Sequence, residues 1–220
     1  YSNDMLHVQK FYSDYVETYI ERDVSEMLNV RDKFQFRRFM ELIASLTGEE
    51  LIYDNIAKII GIDKKTVMSW LSVLIAGDIV YLLEPYNEIS ISKRIIKRPK
   101  LYFTDTGLAC YLARLNSGEI LGASAFSGRF VETYIINEIK KSYVNNGIEP
   151  NFYYYRDSDM NEIDLVIIQD GKLHRIECKS GIKFNNNAVK GFKQLDKTNY
   201  QIGFKVIICN TDTVYPLDDN

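Results

Sequence analysis

The chain has 220 residues, 46% of them hydrophobic and 13% aromatic, which is enough apolar side chain to bury a core in one large or two small domains. Its 27 Lys and Arg against 30 Asp and Glu leave a net charge of -3, which excludes any general attraction to nucleic acid and leaves that role to a local basic patch. No apolar run reaches membrane-spanning length and no signal peptide is visible, so a soluble, cytoplasmic protein with no membrane partner is expected.

The cysteines Cys110, Cys178 and Cys209 stand far apart in apolar surroundings and read as buried reduced thiols. Because the chain opens on Tyr1 rather than methionine, it is expected to be a piece of a longer protein.

Along residues 7–30, Tyr12, Tyr15, Val16, Tyr19, Ile20, Val24, Met27 and Leu28 recur at helical spacing and predict an amphipathic helix, with Arg22 and Asp23 on its solvated side. Three helices follow at 34–46, 53–60 and 64–76. Gly61 ends the second and Asp63 caps the third, the short turn of a helix-turn-helix. A strand at 79–83, a turn at 84–87 and a second strand through Ile89 and Ile91 into 101–103 complete a winged helix over residues 31–115. Its wing carries Lys93, Arg94, Lys97, Arg98 and Lys100, and its third helix opens with Lys64 and Lys65. Two readings stand for these cations. They contact the phosphates of DNA, or they guard an exposed strand edge in a module that binds protein.

Asp105 or Thr106 caps a short helix to residue 115, and residues 116–127, with Gly118 and Gly122, read as a linker. The second domain, 128–220, opens with a helix to residue 144 on which Glu132 falls among Ile135, Ile136 and Ile139. A carboxylate so placed needs a metal, a lysine or a backbone donor. A strand at 152–155, a polar turn at 156–159, a hairpin, a helix at 184–195 and a strand at 203–210 follow. The fold class is therefore α+β, a helical winged-helix part followed by an α/β domain with a small mixed sheet.

The hairpin carries the chemistry. Two apolar runs, 162–168 and 174–179, flank Asp170-Gly171, and strand alternation puts Arg175, Glu177 and Lys179 on one face. Asp164 on the first strand completes a D…ExK pattern. Two neighbouring carboxylates repel unless a cation lies between them. Mg2+ or Mn2+ answers that need with Asp164, Glu177 and the backbone carbonyl of Cys178 as ligands. Lys179 would orient a water or neutralise a phosphate, and Glu132 would serve as an outer ligand. The alternative is a structural Glu177–Lys179 ion pair without catalysis.

Glu132, Asp164 and Ile176-Glu177-Cys178-Lys179-Ser180, in this order, resemble the PD-(D/E)xK nuclease superfamily, especially archaeal Holliday-junction resolvases. That resemblance implies a restriction-endonuclease-like fold and a Mg-dependent phosphodiesterase acting on nucleic acid. More of the chain, through residues 19–24, Pro99-Lys100-Leu101-Tyr102-Phe103-Thr104-Asp105-Thr106-Gly107-Leu108, Tyr155-Arg156 and Glu162-Ile163-Asp164, resembles the C-terminal half of a prokaryotic AAA+ ATPase family. It implies an upstream ATPase domain as partner and a role for Arg22 at the junction. No Gly-x-x-x-x-Gly-Lys-Ser/Thr loop occurs here, so ATP is expected to bind only through that upstream domain. The alternative function is a non-catalytic adaptor that holds DNA or a protein partner for the ATPase.

Overall fold

A computed structural model describes residues 5–24, 33–87, 98–182, 189–196, 198–214 and 216–217. The chain forms two compact units, Tyr1–Tyr81 with Leu101–Phe126, and Leu82–Lys100 with Ser127–Asn220.

In the first unit, helix α1 (Met5–Thr18) runs on into a wider π-helical turn, Tyr19–Val24. Val16, Tyr19, Ile20 and Val24 are buried at the spacing the sequence predicts. The predicted continuation through residues 25–30 lies outside the described residues.

Helices α2 (Lys33–Ser45), α3 (Tyr53–Ile60) and α4 (Lys64–Ala76) follow, with the short strand β1 (Glu49–Glu50) between the first two. The turn between α3 and α4 is built as its residues dictate. Gly61 ends α3 in the left-handed conformation at φ 80, and the Asp63 side chain accepts the Thr66 N–H at 3.0 Å. Trp70 meets Phe36 and Phe39 edge-on, with ring centroids 5.1 and 5.4 Å away, and these rings anchor the helical core.

Strands β2 (Val80–Leu83) and β3 (Lys100–Phe103) join β1 in the order β1-β3-β2, the sheet of a winged helix. The wing residues 88–97, including Ile89 and Ile91, lie outside the described residues.

Helix α5 (Thr106–Leu112) starts at Asp105, whose Oδ1 accepts the Leu108 N–H at 2.8 Å and the Tyr12 hydroxyl at 3.2 Å. The segment expected as a linker differs. Ser117 accepts the Ile120 N–H at 3.2 Å and caps a six-residue helix, α6 (Gly118–Ala123). A good cap outweighs the two glycines, although the helix has no buried residue.

The second unit contains α7 (Ser127–Asn145), β4 (Phe152–Arg156), β5 (Glu162–Gln169), β6 (Lys172–Cys178), α8 (Lys190–Gln194) and β7 (Gln201–Ile208). Its sheet has the order β4-β5-β6-β7, antiparallel at the first two junctions and parallel at the third. The fold class is accordingly α+β with a small mixed sheet. Asp170 and Gly171 take φ 51 and 74 inside a Gln169–Lys172 closing pair, the two-residue turn that an Asp-Gly sequence prefers.

Residues 84–87, predicted as a turn of the wing, do something else. Tyr154 donates its N–H to the Glu84 carbonyl at 3.1 Å, and the Tyr86 N–H donates to the Tyr154 carbonyl at 2.6 Å. The segment therefore lies along the edge of β4, with Pro85 at the bridge where a missing N–H is tolerated. Tyr86 belongs to the core of Ile163, Val166, Leu173, Phe192 and Leu195, and this apolar burial draws the segment into the second unit. The three cysteines are free thiols. No helix among the described residues is long and apolar enough to cross a membrane.

Candidate functional site

The hairpin brings the predicted acids together. Leu165 pairs with Ile176, so Asp164 and Glu177 stand one step further along the same antiparallel ladder and on one face. Both are 7% exposed. Asp164 Oδ2 accepts the Cys178 N–H at 2.7 Å, which ties the first strand's acid to the backbone of the residue whose carbonyl is the expected third ligand. Lys179 donates to Glu177 Oε1 at 2.5 Å. The other oxygen, Glu177 Oε2, is buried without a hydrogen-bond partner among the described residues.

Burial and the charge of Glu177 push the Asp164 carboxyl up to about 6, against the opposing pull of Lys100, the Cys178 N–H and Lys179. Burial likewise raises Glu177, although Lys179 opposes it. For Lys179 burial acts downward, but its bond to Glu177 and the nearby carboxylates outweigh it and hold the ammonium above the usual lysine range. Burial also drives the Cys178 thiol far up, so it is an inert neighbour rather than a nucleophile.

Glu132, on α7, reaches the same cluster through a residue assigned elsewhere. Lys100 Nζ lies 3.0 Å from Glu132 Oε1 and 2.6 Å from Glu162 Oε1. Lys100 is 4% exposed and sits 5.4 Å from the centroid of the Tyr154 ring. The sequence reading put Lys100 among the phosphate-contacting cations. The structure corrects this, because its charge is buried and spent on carboxylates of its own chain. Burial alone would lower its pKa, but Glu132, Glu162 and Asp164 reverse this and hold it well above the ordinary value.

Sequence reasoning missed Lys100 and Glu162 as members of this cluster. The signal for Glu162 was present, since it stands two residues before Asp164 and so shares its strand face. For Lys100 the basic run masked its role.

The remaining predicted cations divide. Lys64 and Lys65 are exposed at the start of α4, and Lys64 pairs with Asp54 at 3.0 Å. Thr66 is occupied in the cap, its hydroxyl donating to Asp63 at 2.6 Å. Arg98 is exposed, while its carbonyl accepts the Tyr154 hydroxyl at 2.5 Å. Lys93, Arg94 and Lys97 lie outside the described residues. Arg22 is exposed.

A divalent ion fits the Asp164–Glu177 pair on two observations, the Glu177 oxygen that has no hydrogen-bond partner among the described residues and the burial, with the Glu177 charge beside it, that raises Asp164. No group of three or more described His, Cys, Asp or Glu residues forms a metal cage by itself. The ion that suits such a site is one that keeps several waters, as Mg2+ does with one or two carboxylates.

No solved structure matches the chain. Two uncharacterized proteins, one of Mycobacterium bovis and one of Mycobacterium tuberculosis, are each 26% identical to it over 166 residues, which cover 75% of this chain and 36% of the relative. The chain thus spans about a third of the length of these curated relatives. Residues 127–220, beginning where the second unit resumes, match a domain of unknown function, DUF4143. Residues 2–119, more than half of the chain, match a further domain of unknown function, DUF8612, and the chain belongs to that family.

Proposed function

We propose that the second unit is a metal-dependent, nuclease-like phosphodiesterase domain acting on nucleic acid, in the cytoplasm, as the C-terminal region of an AAA+ ATPase. The carrying observation is the buried Asp164–Glu177 pair, with Lys179 on one Glu177 oxygen and no partner among the described residues on the other. Asp164, Glu177 and the Cys178 carbonyl would hold Mg2+ or Mn2+, which when bound would lower the pKa of a water and polarise the phosphorus. Lys179 stays cationic beside Glu177. It therefore serves as a donor that orients the water or balances phosphate charge, and not as a proton acceptor. ATP enters this reading only through a separate upstream domain.

The test is cleavage of single-stranded, duplex and branched DNA and RNA with Mg2+ or Mn2+ present. Wild type is expected to cleave at least one of them, and Lys179→Ala to lose about 100-fold in rate. Wild type inert on the whole panel would end the enzymatic reading.

A second reading, a non-catalytic adaptor for DNA or a protein partner, is favoured by the direct Lys179–Glu177 contact and by Lys100, which together neutralise carboxylates without any metal. If DNA is what it holds, affinity falls steeply with salt, and Arg98→Ala makes the salt dependence shallower by about one released counterion. Equal slopes for wild type and variant would remove Arg98 from the interface. No binding even at low salt would leave the protein-partner version.

A further inference from the structure

The carboxylates of the site fall into two sets. Glu132 and Glu162 are held by Lys100, at 3.0 and 2.6 Å. Asp164 and Glu177 face each other across the hairpin, with one buried oxygen left over. Resting on the metal reading above, we propose that Lys100 fills the place of a second divalent ion, so that the native site takes a single ion at Asp164–Glu177. Removal of the ammonium then opens another metal site, with Glu132 and Glu162 as its protein carboxylates and waters completing the shell.

An ammonium is a compact, strongly hydrated charge, and burying it is costly unless oxygen anions replace its water. Lys100, 4% exposed, is given that replacement by acids from two different elements, Glu132 on α7 and Glu162 at the start of β5. A hard divalent cation asks for the same thing. Its metal–oxygen distance, about 2.1 Å for Mg2+ and similar for Mn2+, is reached if the carboxylates close in by less than about 1 Å. In other two-metal sites the ions lie about 4 Å apart, a separation in which neighbouring carboxylates are shared. Here the fixed ammonium takes one of those places. No free ion can displace it without unpairing a buried lysine.

The experiment is Mn2+ titration of the whole 220-residue chain by calorimetry, with bound ions counted by electron paramagnetic resonance. Wild type is expected to bind one ion and Lys100→Met two, while Lys100→Arg stays at one. Glu132→Gln gives a check on a site that keeps its lysine. Since Lys100 and not the ion holds Glu132, Mn2+ affinity should stay within about threefold of wild type. Lys100→Met binding no more ions than wild type overturns the proposal. So does a loss of tenfold or more in Glu132→Gln, which would make Glu132 a ligand of the first ion. Should Lys100→Met fail to fold, Glu132→Gln still decides. Wild type binding no Mn2+ while Lys100→Met binds one would end the metal reading of the native site and leave the role of Lys100 standing.

Discussion

Gly191→Ala is expected to lower the stability of the chain by about 3 kcal/mol, at the upper end of what overpacking costs. A methyl group at this buried position, in helix α8, would overlap the Glu162 carbonyl oxygen and press on Ile163. These atoms are backbone and packed core, and neither yields easily. The helix must lift, and with it Phe192, which is 2% exposed. Because Glu162 carries one of the two carboxylates on Lys100, the disturbance reaches the candidate site as well. Gly128→Ala is the control. Nothing stands within 4 Å of a methyl group there, and helix propensity predicts no loss and a gain of at most about 1 kcal/mol. Urea unfolding of the two variants beside wild type measures both, and equal midpoints for Gly191→Ala and wild type would refute the packing argument.

Asp164 is expected to make the chain less stable as pH rises from 4 to 7. In the folded chain its carboxyl holds a proton to about 6, whereas its unperturbed value is 3.8. Between these values the folded state binds more protons than the unfolded one. The stabilisation is therefore complete below the lower value and is lost as pH passes through the higher one. Glu177, also raised by burial, titrates with it and adds in the same direction. Asp164→Asn should flatten this part of the profile, as measured by thermal unfolding at constant ionic strength. An unchanged slope in Asp164→Asn would show that its proton is not the one involved. Excess Mg2+ at pH 7 should recover part of the loss in wild type and none in the variant, because a cation between the carboxylates replaces the proton.

Much of the fold was legible because its signals are local. Asp63 and Gly61 mark the helix-turn-helix by capping chemistry alone, and Asp170-Gly171 sets a two-residue turn with both φ values positive. Asp164 and Glu177 could be paired on paper, since strand alternation and the length of that turn place them opposite each other. Two segments differ from what their composition suggests, one through a distant partner and one through a local cap. Residues 84–87 have the composition of a turn, yet Tyr86 is 3% exposed and lies along β4. Residues 116–127 have the glycines of a linker, yet a serine cap closes a short helix within them.

The sequence by itself determined the α+β class, the helix-turn-helix, the hairpin and the meeting of Asp164, Glu177 and Lys179, because each follows from periodicity or from contacts a few residues apart. Only the tertiary structure decided what Lys100 does. In sequence it is the last of five wing cations. In space it is a buried ammonium between Glu132 and Glu162, since a charge that loses its water must find oxygen anions and the nearest ones belong to distant elements.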